Sequence, residues 1–144
     1  MSASDLQGAM TQLSQELQVV DRQIDQLESE VTQIRTQQSS MREAVRAIGE
    51  LDTGATVQVP LGGGAFVRAT IEDIDEVIVD LGGDYAAEQD AATAAETLQR
   101  KREALDDRAE ELLGELETVV ARRGELEQQV QAIQQQAQRP QQGE

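Results

Sequence analysis

The sequence predicts a mainly α protein with a small β part: a long antiparallel two-helix coiled coil whose arms are joined by two β-hairpins. Three observations carry that prediction. Apolar residues recur in steps of four and three through both halves of the chain, and the period falls to two between them. The third is the scarcity of aromatics, with Phe66 and Tyr85 the only ones among 144 residues. Aromatic side chains supply large buried areas to thick cores, so this composition suits a fold that buries narrow stripes.

In the first arm the apolar positions are Leu6, Met10, Leu13, Leu17, Val20, Ile24, Leu27, Val31, Ile34, Met41, Val45 and Ile48, with Gln38 the one polar residue on the same stripe. A spacing that averages 3.5 residues over six heptads is the coiled-coil signature. Ser4 and Gln7 read as a capping box at its start. Gly49 and Gly54 close it near Leu51, which places the helix over residues 5–51.

The second arm repeats the pattern from Ala91 through Ala95, Leu98, Leu105, Ala109, Leu112, Leu116, Val119, Leu126, Val130 and Ile133 to Ala137, interrupted by Arg102 and Arg123. Asp90 is the expected N-cap and Pro140 the stop, giving a helix over 90–138 and a disordered tail over 139–144. Two helices of roughly 45 residues span about 65–70 Å each. Equal arms tied at their inner ends to one middle segment pair antiparallel. That pairing brings Gln38 and Arg102 within about one helical turn of each other. Two readings of them stand: a polar layer that fixes register, or side chains that snorkel to water.

Residues 55–88 carry the hairpins. Ala55 to Leu61 alternates, Gly62, Gly63 and Gly64 turn the chain, and Ala65 to Ile71 returns. Asp73 to Asp75 turns again, and Glu76 to Leu81 and a short strand from Tyr85 to Glu88 flank Gly82-Gly83-Asp84. The triple glycine invites a phosphate-binding reading. A P-loop, however, needs Lys and Ser or Thr opening a helix. Ala65, Phe66 and Val67 supply strand character instead, so the glycines provide positive φ for a turn.

Isolated hairpins are marginal and leave open edges. Val57, Val59, Leu61, Phe66, Val67, Ile71, Val77, Val79 and Leu81 cannot all be covered by two helices whose stripes already face each other. The expected solution is a shared sheet or barrel built from the hairpins of several chains, which makes the protein an obligate oligomer.

Composition narrows the function classes. There is no Cys and no His, hence no disulfide, no thiolate chemistry and no imidazole base or ligand. No catalytic residue, metal ligand or cofactor is expected. The carboxylates Glu72, Asp73, Asp75 and Glu76 could suggest an acid-pair hydrolase or a cation site. Catalysis would need a cleft that perturbs them, and neighbours at a turn sit in water. The formal charge of −16, from 28 acidic and 12 basic residues, repels nucleic acid. With Lys101 the only lysine, it reads as the surface of a protein working in high salt, where screening tolerates self-repulsion. No signal peptide or membrane-length apolar run stands out, which points to the cytoplasm.

Helix, two hairpins and helix, with the run VPLGGGAFVRATIEDIDEVIVDLGGDY from Val59 to Tyr85, resembles the archaeal prefoldin α subunit over nearly the whole chain. The two hairpins favour the α type, since β-type subunits typically carry one. The resemblance implies a hexamer of two α and four β subunits, with the hairpins in a double β-barrel platform and six coiled coils hanging from it. It implies an ATP-independent co-chaperone, not an enzyme, that holds unfolded client proteins and passes them to a group II chaperonin. It implies client contact at the coiled-coil tips, which here are Leu6, Met10, Leu13 and Leu17 on one arm and Val130, Ile133 and Ala137 on the other. The alternative from the residues alone is a structural coiled-coil spacer or adaptor for a fixed partner, which the arms fit equally well.

Overall fold

A computed structural model describes residues 2–138. Pro140 and the expected tail over 139–144 lie outside the described residues. The element order is α1 (Ala3–Glu50), β1 (Thr56–Gly62), β2 (Ala65–Thr70), β3 (Val77–Gly82), β4 (Tyr85–Gln89) and α2 (Ala91–Gln138). The chain divides into two compact units, residues 1–33 with 108–144, and residues 34–107.

Helix α1 starts earlier than the Ser4–Gln7 spacing suggested, because the capping box is made by Ser2 and Asp5. Asp5 N–H donates to Ser2 Oγ at 3.1 Å, and Ser2 N–H donates back to Asp5 Oδ2 at 3.3 Å. Reciprocal bonds of this kind satisfy backbone donors that the first helical turn leaves free. Ser4 is itself helical. Gly49 also lies inside the helix rather than ending it, since one glycine weakens a helix without forbidding it. The reversal comes at Gly54, whose φ of 87° favours a residue without Cβ.

At the other end Asp90 caps α2. Its Oδ1 accepts the Thr93 N–H at 2.8 Å, and that bond, aided by the Thr93 hydroxyl, holds its carboxyl below the usual carboxylate range. An ionised carboxylate at a helix N-terminus also meets the positive end of the helix dipole.

In the first unit the two helices run antiparallel, as their ion pairs show. Glu16 meets Arg122 at 3.2 Å, Asp21 meets Arg123 at 2.6 Å and Glu30 meets Arg108 at 4.0 Å. Between these flanking charges lies a seam in which Leu13, Val20 and Leu126 are buried and Leu17, Ile24, Val119, Val130 and Ile133 pack against them. The ion pairs are about half exposed, so each adds little to stability. The apolar seam holds the pair together.

The second unit contains the hairpins, each a separate two-stranded antiparallel sheet. Their tips are built alike. Gly63 and Gly64 have φ of 61° and 82°, and Gly83 and Asp84 have φ of 59° and 65°. Two consecutive positive φ values make the two-residue turn whose twist matches that of the flanking strands. Each turn follows a bulge: the pairing steps from Pro60↔Phe66 to Gly62↔Ala65, and from Asp80↔Ala86 to Gly82↔Tyr85. Leu61 and Leu81 are thus left opposite no partner. Leu-Gly-Gly therefore occurs twice with one backbone solution, and the turn is two residues long rather than the three glycines expected. Strand β4 extends through Gln89, one residue beyond Glu88.

Candidate interaction surfaces

Side-chain alternation decides which residues of each hairpin are sheltered. In the second hairpin Val77, Val79 and Ala87 share one face, through the Val79↔Ala87 pairing. Val79 is only 5% exposed. Two residues of α2 reach this hairpin: Thr97 Oγ1 donates to Gln89 Oε1 at 2.9 Å, and Lys101 Nζ donates to the Asp80 carbonyl at 2.6 Å. Val79, expected among the residues of a shared surface, is instead buried within its own subunit. Val57, Ile71 and Val77 are half-buried, and Val59, Leu61, Phe66, Val67 and Leu81 are exposed.

Two exposed residues escaped the sequence reading. Ile78 is 71% exposed and Tyr85 75%. Ile78 alternates onto the face opposite Val77 and Val79, and Tyr85 flanks the tight turn. Alternation around Val79 was the available signal, since it turns Ile78 the other way. On the first hairpin Val59 and Val67 oppose each other, whereas Phe66 pairs with Pro60 on the reverse face. Phe66 is 59% exposed. Both faces of that hairpin therefore present apolar side chains, alongside unpaired strand edges that suit another strand.

The expected tip residues of the first unit lie in the seam or beside it. Leu13 is buried, Leu6, Met10, Leu17, Val130 and Ile133 are half-buried, and Ala137 is exposed. Val19 and Val120, outside the expected set, are exposed on the same unit. With the helices paired, most of this apolar area faces the opposite helix.

Gln38 is buried, at 4% exposure, and fully partnered. Its Nε2 donates to the Arg102 carbonyl at 2.9 Å and to Asp106 Oδ1 at 2.8 Å, and its Oε1 accepts from Arg35 Nη1 at 2.9 Å. Arg35 also donates to Asp106 at 3.0 Å. A polar layer therefore forms at Gln38, with a membership that differs from the expected pair: Arg102 contributes its backbone, and Asp106 and Arg35 complete the set. Asp106 sits one turn beyond Arg102, and Arg35 one turn before Gln38, on the same helix faces. The Gln38 amide, ahead of the Arg35 guanidinium, holds the Asp106 carboxyl below its ordinary value. Arg123 leaves the seam for Asp21 and Glu127.

Two of the four turn carboxylates have backbone partners. Asp73 Oδ1 accepts the Asp75 N–H at 2.9 Å, and Asp75 Oδ1 accepts the Ala91 N–H at 3.3 Å. Among the described residues no group of three possible metal ligands is found, and no helix is long and apolar enough to cross a membrane.

These features define a class of protein: a coiled-coil subunit whose hairpins carry apolar surface and open edges suited to assembly. Residues 20–142 match the family model described as Prefoldin subunit, and the chain belongs to the prefoldin family. It is similar to the prefoldin α subunit of Halorubrum lacusprofundi, 61% identical over 77 residues that make up 54% of this chain and 51% of the relative. The α subunit of Haloarcula marismortui is 47% identical over 72% of this chain and 67% of its own. That of Methanosarcina barkeri is 35% identical over 84% and 88%. The chain thus spans about half the length of the Halorubrum relative. A cryo-EM structure of filamentous PFD from Methanocaldococcus jannaschii shares the fold, with a TM-score of 0.53 at 24% identity, covering 75% of this chain and 98% of that one.

Proposed function

We propose that this chain is the α subunit of an ATP-independent co-chaperone of the cytoplasm. Two copies join four β-type subunits through a platform of shared β-barrels, and the coiled coils hold non-native proteins for transfer to a group II chaperonin. One observation carries the reading: the hairpins expose Phe66, Ile78, Tyr85 and their apolar neighbours next to open strand edges. A solvent-exposed surface of that kind is an aggregation hazard unless other strands cover it.

Client holding follows from the first unit. Leu6, Met10, Leu13, Leu17, Val130, Ile133 and Ala137 lie toward the outer ends of the helices, where the terminal turns are the least protected. Fraying frees them one or two at a time. Each buries against a client for about 1.5–3 kcal/mol at most, which is weak and indifferent to sequence. Several arms acting on one client add such contacts through effective concentration, and release then needs no nucleotide.

Removing residues 1–13 and 131–144 tests this. The trimmed chain is expected to assemble with β-type subunits, by native mass measurement, yet to lose most of its suppression of aggregation of several unrelated denatured proteins. Full protection by the trimmed complex would place client binding elsewhere. No protection by the intact complex would favour a spacer.

A further inference from the structure

The basic residues of this acidic chain are unevenly placed. Residues 34–42 (IRTQQSSMR) and 97–102 (TLQRKR) contain Arg35, Arg42, Arg100, Lys101 and Arg102 and no Asp or Glu, in a chain with 28 acidic and 12 basic residues. The Gln38 layer joins these two segments across the helix pair of the second unit. Between them lies a cleft of about 260 Å³ lined by Arg35, Gln38, Ser39, Arg42, Arg102 and Asp106. Asp106 is the one acid in that lining, and Gln38 and Arg35 already occupy it.

Four arginines on the helices pair with acids one turn away, in Arg100–Glu96, Arg108–Glu111, Arg122–Glu125 and Arg123–Glu127. Arg22 and Arg46 make no ion pair among the described residues but have Asp25, Glu43 and Glu50 within three or four residues. Around Arg42 the positions three and four residues away are Gln38, Ser39, Val45 and Arg46, which offer no carboxylate. The only acid so placed for Arg102 is Asp106. Neither Arg42 nor Arg102 makes an ion pair among the described residues. Two guanidiniums thus line one cleft without an ion pair of their own, on a protein that has an excess of carboxylates almost everywhere else. The one carboxylate there, Asp106, lies close enough to Arg102 to feel its charge but is bonded to Gln38 and Arg35.

We propose that this cleft is a seat for a small oxyanion, held by Arg42 and Arg102 with Ser39 beside them. The guanidinium fork matches the paired oxygens of a phosphate or carboxylate, and Ser39 offers a hydroxyl donor. Arg35 adds positive charge while its Nη1 stays on Gln38 and Asp106. Filling the seat relieves the repulsion among these arginines and ties α1 to α2. Such a group can come free in solution, as inorganic phosphate, or as Asp and Glu side chains of another protein segment. The inference is independent of the client-holding proposal.

The test compares thermal midpoints of the full chain in inorganic phosphate, in a tetraglutamate peptide and in chloride at equal ionic strength. Phosphate also stabilises proteins generally by exclusion from their surface, so the readout is the difference from two charge-matched variants. Wild type and R22Q/R68Q, which loses two exposed arginines outside the cleft, are expected to gain about 2–4 °C from saturating ligand beyond what R42Q/R102Q gains. Broadening of the phosphate ³¹P resonance by wild type, absent with R42Q/R102Q, is expected in parallel. A gain with phosphate identifies the free oxyanion as occupant, and a gain with the peptide alone identifies protein carboxylates. Equal gains in R42Q/R102Q and wild type with both ligands would overturn the proposal, as would equal loss of the gain in R22Q/R68Q.

Discussion

At the residue scale, Gln38 shows how a polar group survives in an apolar seam. Both ends of its amide are bonded, so its burial leaves nothing unsatisfied, and its partners come from both helices. The cost of desolvating it is offset by specificity, because one vertical shift of the seam would separate Gln38 from the Arg102 carbonyl and Asp106. Asp106 makes this layer sensitive to acid. A folded-state value depressed below the ordinary 3.8 means that its contribution is present above that value and is lost as pH falls through the folded one. The stability difference between wild type and Asp106→Asn is therefore expected at pH 7 and should close on acidification below about pH 4. Paired urea titrations at descending pH measure it, and a gap that widened would contradict the sign. The stripe position of Gln38 was legible in the sequence. Its partners were not, because any of several polar residues within a turn could have reached it.

At the element scale, the two hairpin tips are a natural comparison. Asp84 occupies at φ 65° the position that Gly64 fills in the first hairpin at 82°, while Gly62 and Gly82 reach 100° and 92°. Short polar side chains tolerate the left-handed region near +60° but fit poorly beyond it. Gly64→Asp, which has to relax from 82° toward the 65° that Asp84 adopts, is therefore expected to lower stability by less than about 1 kcal/mol, and Gly62→Asp by about 1–3 kcal/mol. No added Cβ meets another atom within 4 Å at either site, so the contrast isolates backbone conformation. Thermal midpoints of the two variants decide it, and equal losses would mean that φ is not the controlling variable. The period-two alternation placed all four strands to within a residue or so. It could not show that each tip bulges, since a bulge depends on which carbonyls the partner strand meets.

At the scale of the whole molecule, charge and apolar surface act in opposition. A net charge of −16 pushes copies apart, and screening shortens that repulsion from about 10 Å at 0.1 M salt to about 3 Å at 1 M. In the proposed platform the exposed hairpin residues draw subunits together. Phe66→Asp and Ile78→Asp each place a charge where the proposed platform would bury it, a loss of several kcal/mol per contact if the charge stays unpaired. Both variants are expected to stay folded and to fail to assemble with β-type subunits in high salt, as read by native mass. Val79→Asp is expected to disrupt the subunit itself, visible as lost ellipticity, because Val79 is buried within the chain. Normal assembly by both Phe66→Asp and Ile78→Asp would remove the platform from consideration.

The heptads, the alternating middle and the poverty in aromatics determined by themselves that this chain is a paired coiled coil carrying two hairpins. Those patterns are periodic, and period alone selects between helix and strand. Only the tertiary structure decided which apolar residues stay uncovered, that Val79 turns inward while Ile78 turns out, and that Asp106 and Arg35 share the layer with Gln38. It also showed that Arg42 and Arg102 line one cleft whose single acid, Asp106, is hydrogen-bonded to Gln38 and Arg35. Burial and pairing depend on what the opposite helix or strand presents at the same level, and distance along the chain does not specify that.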